Sequence, residues 1–139
     1  MTKDLIAFCG LYCGACDWHV SFPKAAPGDT NSERLKNGTC PGCREEGNIC
    51  GFCEMKKCAT RKGIDLCGKC AEYPCGTIES FMTDGKPHHA DIRNNLAEIR
   101  EFGENEWAAR QQRRWTCQCG IKFSWYDKNC RCGREVKGY

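Results

Sequence analysis

Cysteine is the residue of this chain best equipped for chemistry, and its spacing says which chemistry. Fifteen occur in 139 residues. The densest stretch runs from Cys40-Pro-Gly-Cys43 through Cys50-x2-Cys53-x4-Cys58, a unit that returns 17 residues later as Cys67-x2-Cys70-x4-Cys75. Cys9-x3-Cys13-x2-Cys16 precedes it, and Cys117-x-Cys119-Gly with Cys130-x-Cys132-Gly follows far downstream. A Cys-x-x-Cys turn sets two sulfurs on one side of a tight loop, the bite that a tetrahedral cation needs. In an extended Cys-x-Cys, alternate residues point the same way, so both sulfurs again reach one ion. All fifteen cysteines are candidate metal ligands.

Disulfides are the competing use. An odd cysteine count leaves one thiol over in any fully paired scheme. The first residues lack the apolar run of a secretory signal, and no stretch approaches the ~20 apolar residues of a membrane span. The chain is therefore expected to be cytoplasmic, where paired cysteine spacing favours metal. Four pairs in the first half (13/16, 40/43, 50/53 and 67/70) make two tetrathiolate sites. Their partnering is open: Cys40/Cys43 with Cys50/Cys53 is the local choice, and an interleaved arrangement is equally tenable. Cys9, Cys58 and Cys75 remain, either as a third ligand set completed by His19 or water, or as small buried side chains. His19, beside Trp18, is expected to be packed rather than ligating. With the tail tetrad, about three Zn²⁺ ions are expected. An iron–sulfur cluster in the N-terminal half is the alternative, although the Cys-x2-Cys-x2-Cys run of bacterial ferredoxins is absent.

The elements that position these sulfurs are short. Glu54 to Lys62 suits a helix that ends at Gly63, and a second begins near Ile78–Met82. A metal knuckle followed at once by a helix gives each cysteine pair a rigid mount. Residues 21–39, with Pro23, Pro27 and Asn37-Gly38, read as a loop holding one short helix capped from Asp29-Thr30-Asn31-Ser32 through Lys36. From Pro87 to Trp115 there is no cysteine. Ile92, Leu96, Ile99 and Phe102 there form one stripe of an amphipathic helix, Gly103 ends it, and Glu104 to Trp115 forms a second. His88-His89, flanked by Gly-Lys-Pro, are expected to be a solvated helix entry. In the tail, Ile121, Phe123 and Trp125 alternate with polar residues as a half-buried strand should, with a turn at Asp127-Lys128-Asn129.

Leu, Ile, Val and Phe together are about 14% of the chain, too few for an apolar core to hold the fold unaided. The expected fold class is therefore a small, metal-stabilised α+β protein. Its three parts are a Cys-rich knuckle and short-helix region over 1–86, a helical pair over 87–115, and a zinc-ribbon-like hairpin over 116–139.

No Ser-His-Asp order, phosphate loop or carboxylate constellation is present, and a metal held by four thiolates has no open position for a substrate. Catalysis is accordingly not expected. Residues 107–139 carry eight Lys or Arg against two Asp or Glu, so the tail is +6 while the whole chain is +3. Arg113, Arg114, Lys122 and Arg131, near Trp115, Phe123, Trp125 and Tyr126, suit phosphate contacts and base stacking. The expectation is a non-catalytic zinc-binding module for a protein or a nucleic acid, with no membrane partner. An iron–sulfur or thiol redox protein is the alternative.

These motifs resemble a family of small cysteine-rich proteins of unknown function, found mainly in anaerobic bacteria and archaea. The matching residues are Cys9-Gly-Leu-Tyr-Cys13-Gly-Ala-Cys16, the Cys40-x-Gly-Cys43 turn, Cys50-x2-Cys53-x4-Cys58-Ala59, and Cys67-x2-Cys70 with Tyr73-Pro74-Cys75. The Asn95-Leu96 helix and the Cys117/Cys119 with Cys130/Cys132 tail extend the likeness over nearly the whole chain. The resemblance implies a family fold and metal binding and supplies no activity. An anaerobic setting adds weight to the iron–sulfur alternative.

Overall fold

The chain folds mainly into short helices around one core. A computed structural model describes residues 2–20, 39–45, 48 and 50–139. The expected loop and short helix between 21 and 38 lie outside the described residues. Among the described residues the α-helices are α1 Asp17–Val20, α2 Glu54–Lys62, α3 Gly76–Met82, α4 Pro87–Ala90, α5 Ile92–Phe102 and α6 Glu104–Arg114. Single 3₁₀ turns cover Thr2–Leu5, Cys13–Ala15 and Cys67–Lys69.

Each longer helix follows from its sequence. In α5, Ile92, Leu96 and Ile99 are buried on one stripe, as their spacing predicts. In α6, Glu104 and Glu106 stand in the first turn and Arg113 and Arg114 in the last, which suits the helix dipole. α2 has the same polarity, from Glu54 to Arg61 and Lys62, and stops at Gly63, whose N–H bonds back to Ala59 and Thr60. Pro87 opens α4, where its missing N–H costs nothing.

The helical pair is the platform of the molecule. α5 packs on α6, and α6 in turn packs on the opening Thr2–Leu5 turn. Trp107 of α6 is wholly buried, its ring edge-on to Tyr12 at 6.3 Å and its Nε1 donating to Glu98 at 3.0 Å. Burying a ring of that size removes ~150–250 Å² from water, an upper bound of about 4–6 kcal/mol. Ile6, Ile78 and Ile92 complete the deepest layer. Cys9, Cys13, Cys117 and Cys130 belong to the same core cluster, so sulfur supplies part of what aliphatic side chains usually do.

α5 also clasps two of the cysteine loops. Asn95 Nδ2 donates to the Gly10 carbonyl at 3.0 Å, and Leu96 lies directly against Gly10 and Gly68, the residues that follow Cys9 and Cys67. The loops are joined to each other by Cys67 N–H donating to the Phe8 carbonyl at 2.7 Å. Gly10 has φ +97°, and a Cβ there would stand 2.8 Å from Leu96 Cδ2. Only glycine meets both conditions.

The expected tail strand does not build a ladder. Among the described residues the only extended pairings are isolated antiparallel bridges, Ile6 with Tyr12, Thr116 with Lys122 and Asn129 with Glu135. Each closes a tight turn. The turns after Cys117 and Cys130 use their backbone groups within five residues, which leaves no run of donors and acceptors for a neighbouring strand. The described residues are thus mostly helical, with bridges in place of the β component expected of an α+β fold.

Candidate metal centre

The tail tetrad rests on two matched knuckles. Cys117 N–H donates to Ile121 at 2.9 Å and Gly120 N–H returns to Cys117 at 2.8 Å; Cys130 N–H donates to Arg134 at 2.8 Å and Gly133 N–H returns to Cys130 at 2.9 Å. Gly120 and Gly133 take φ of +90° and +91°, turning the chain back beneath the sulfurs. Arg134 Nη1 ties the knuckles together by donating to Gln118 Oε1 at 3.0 Å.

The four sulfurs of Cys117, Cys119, Cys130 and Cys132 lie within 4.8 Å of one another, a group that can hold a metal ion. Cys117 Sγ is 3.8 Å from Cys132 Sγ, and Cys119 Sγ is 3.6 Å from Cys130 Sγ. A tetrahedron with Zn–S bonds of ~2.3 Å has edges of about 3.8 Å. The donor set therefore has the size and chemistry of a tetrathiolate site. Its electrostatics agree. The Arg134 backbone N–H draws the Cys132 thiol down to about 7, with help from the thiols around it. The Cys132 backbone N–H acts likewise on Cys130, but burial and the other three sulfurs outweigh it and push that thiol up to about 12. Four sulfurs this close cannot all be anionic without a cation among them.

The tail is seated on the rest of the chain. Trp125 N–H donates to Ala15 at 3.2 Å, and Tyr139 Oη donates to Asp91 at 2.6 Å. His88 stacks on Trp125 with ring centroids 4.1 Å apart and bonds Tyr126 Oη through Nδ1, while His89 Nδ1 meets Asp84 at 2.7 Å and stacks on Phe81. Both histidines are buried. They do stand at a helix entry, in α4, but the expectation that they are solvated is corrected, because it took no account of the tail aromatics folding over that helix.

The remaining eleven cysteines fall into neighbourhoods that divide the repeated unit. The Cys13 thiol is the largest cause of the raised pKa of Cys43, with burial and Cys40 adding to it and Cys50 opposing it. Cys50 is raised chiefly by the neighbouring Cys43 thiol. Cys16, pushed up to about 11 by burial, has Cys50 and Cys40 as electrostatic neighbours. Cys9 is buried and raised by that burial, with Cys43, Cys53 and Cys67 around it. Cys67, pushed up to about 11 by burial, has Cys75, Cys58, Cys53 and Cys70 beside it. Cys50 therefore turns toward the first-loop cysteines, whereas Cys58, five positions past the end of its own Cys-x-x-Cys pair and within α2, turns toward Cys67, Cys70 and Cys75. Spacing alone suggested two like units, and the fold crosses them.

His19 is partly buried, and its Nδ1 donates to the Cys40 carbonyl at 3.2 Å. Of the basic residues, Lys122 and Arg131 line one groove together with Asp17 and Asp127, while Arg114 lines another with Arg110, Asp91 and Glu98. Arg113 is exposed with Glu106 3.7 Å away, and the Arg114 guanidinium lies 4.2 Å over the Trp115 ring. Trp115 and Phe123, offered by the sequence as stacking faces, are core residues; Tyr126 and Tyr139 are the exposed aromatics of the tail. Alternation along 121–125 does place Phe123 inside, and Trp115 follows because its indole packs on Phe123 at 5.6 Å.

Residues 5–80, more than half of the chain, match the family described as protein of unknown function (DUF3795). The chain belongs to that family. The match spans Cys9 through Cys75 and stops before the helical pair and the tail tetrad. No curated protein and no solved structure matches the chain. None of the described helices is long and apolar enough to cross a membrane.

Proposed function

We propose that this DUF3795 protein is a zinc-binding protein of the cytoplasm that acts as a non-catalytic binding module for a protein or a nucleic acid. The observation that carries the zinc assignment is the tail tetrad, four thiols within 4.8 Å with two edges of 3.6 and 3.8 Å. A divalent d¹⁰ ion with four thiolates has no open coordination position, so the ion serves structure and not substrate activation. It would hold a zinc-ribbon-like pair of knuckles too small to bury a core of its own. The first-half cysteines supply the ligands of the further ions, to a total of about three.

The binding role rests on the basic excess of residues 107–139 and on exposed Tyr126 and Tyr139. Each basic groove also carries two carboxylates, a mixture better suited to a protein surface than to uniform phosphate. Two measurements test the proposal. Elemental analysis of anaerobically purified protein is expected to give zinc at more than one ion per chain. Brown protein containing iron and sulfide would instead assign the iron–sulfur alternative, and absence of metal would remove both. Titration with single-stranded and duplex nucleic acid at low and high salt then separates the partner classes. Micromolar binding that weakens steeply with salt, and weakens further in an Arg113→Ala, Arg114→Ala, Arg131→Ala variant of unchanged metal content, identifies nucleic acid. Absence of binding leaves the protein partner.

A further inference from the structure

The second cysteine unit surrounds a cavity that the tail site does not use. Cys58, Cys67, Cys70 and Cys75 all line it, together with apolar Met55, Ala59, Ile64 and Ile78 and with Lys62, Tyr73 and Thr77. The cavity volume is about 30 Å³, room for one or two water-sized bodies. Its cysteines come from rigid mounts. Cys58 lies within α2, Cys67 opens the 3₁₀ turn Cys67–Lys69, Cys70 follows that turn with its N–H on the Cys67 carbonyl at 3.0 Å, and Cys75 immediately precedes α3. A cation is already close: Lys62 Nζ donates to Cys70 Sγ at 3.4 Å and is held there by Glu72.

We propose that Cys58, Cys67, Cys70 and Cys75 form a second metal site, which takes a single divalent cation of the zinc class. The proposal deepens the zinc-binding function above and rests on it for the identity of the ion. Four thiols lining one small space match the tetrathiolate donor set that selects zinc over magnesium or calcium. Four thiolates complete one tetrahedral coordination shell, so the site takes one ion. The sulfurs are more widely set than in the tail, whose tetrad is the only described group with all ligand atoms within 4.8 Å. Changing between staggered χ1 positions re-aims each sulfur while the backbone stays in place. On binding, four S–H bonds give four protons to water and four S–metal bonds form. The site then carries a net charge of −2, which the Lys62 ammonium partly offsets. The same assignment explains why the third cysteine of the 50/53/58 unit leaves its own pair, because it completes the neighbouring one.

The test uses the full chain, purified without oxygen and loaded with zinc. Chelator is added stepwise, each step is followed by brief alkylation with N-ethylmaleimide, and modified cysteines are mapped by mass spectrometry. Cys58, Cys67, Cys70 and Cys75 are expected to be protected at full loading and to become reactive together as one equivalent of zinc is released. Cys58→Ser and Cys75→Ser should each hold one zinc fewer than the parent, and Cys58→Ser combined with Cys119→Ser two fewer. Cys75→His, which keeps a zinc ligand, should restore the stoichiometry. Should the serine variants fail to accumulate, the parent's alkylation map still decides. Alkylation of Cys58 at full zinc loading, or full zinc content in a folded Cys58→Ser, overturns this site. Zinc protecting only Cys117, Cys119, Cys130 and Cys132 would overturn it while leaving the zinc-binding function intact, whereas a parent chain with no metal would overturn both.

Discussion

Replacing Gly10 by alanine tests the link between the helical platform and the cysteine loops. Two costs follow from the structure. The backbone term arises from φ +97°, a conformation that penalises any Cβ by about 1–2 kcal/mol. The packing term arises because the new methyl would meet Leu96 Cδ2 at 2.8 Å and Cγ at 2.9 Å. Leu96 is itself buried and cannot swing into solvent, so overpacking adds about 1–3 kcal/mol. The expected loss is about 3 kcal/mol. An unfolding entropy of ~2.1 cal/mol/K per residue converts that loss into a fall in Tm of about 10 °C for a chain of this length. The assay is thermal unfolding followed by circular dichroism at one fixed free-zinc concentration, so that metal linkage does not shift the baseline. Leu96→Ala separates the two terms. Alone it costs about 2–5 kcal/mol, but in the double variant the methyl has space, and the combined loss should fall short of additivity by at least about 1 kcal/mol. A Gly10→Ala loss below about 1 kcal/mol, or strict additivity in the double variant, refutes the clasp.

Three further outcomes are expected. Cys117→Ser should release one metal ion and leave the first-half ions bound, read by elemental analysis after gel filtration; loss of every ion together would mean that ligands are shared along the chain. Asn95→Ala leaves the Gly10 carbonyl buried without its donor and should lower stability by about 1–3 kcal/mol with metal content unchanged; an unaltered Tm would show that water replaces the amide. Burial holds His88 down at about 4, with His89 and Lys86 adding to the effect and Asp84 opposing it. The unfolded chain therefore binds this proton first, and stability is present above pH ~6.5 and declines as pH falls toward 4. Discounted for solvent reaching the ring, the loss is about 1–2 kcal/mol. His88→Phe should show a flatter profile between pH 7 and 5.5, and identical slopes would remove His88 as the cause.

The sequence by itself determined what is local. Cys-x-Cys-Gly twice over sufficed to place four sulfurs together in the tail, because each knuckle is built from bonds spanning four or five residues and glycine at the turn. Glu54–Lys62, Ile92–Phe102 and Glu104–Arg114 were legible for the same reason: periodicity, acidic first turns and terminal glycines act within the helix. What the tertiary structure alone decided is which distant pieces meet. Two Cys-x2-Cys-x4-Cys units look equivalent in one dimension, yet α2 carries Cys58 to the cavity of the second unit while Cys50 turns to Cys43. His88 and His89 read as a solvated helix entry until Trp125 and Tyr126, almost forty positions on, close over them. Asn95 looks like one more polar helix residue, but it faces the Gly10 carbonyl 85 positions away. Such contacts depend on how helices of similar amphipathic pattern stack, and a stripe of apolar residues specifies that a face is buried without specifying its neighbour.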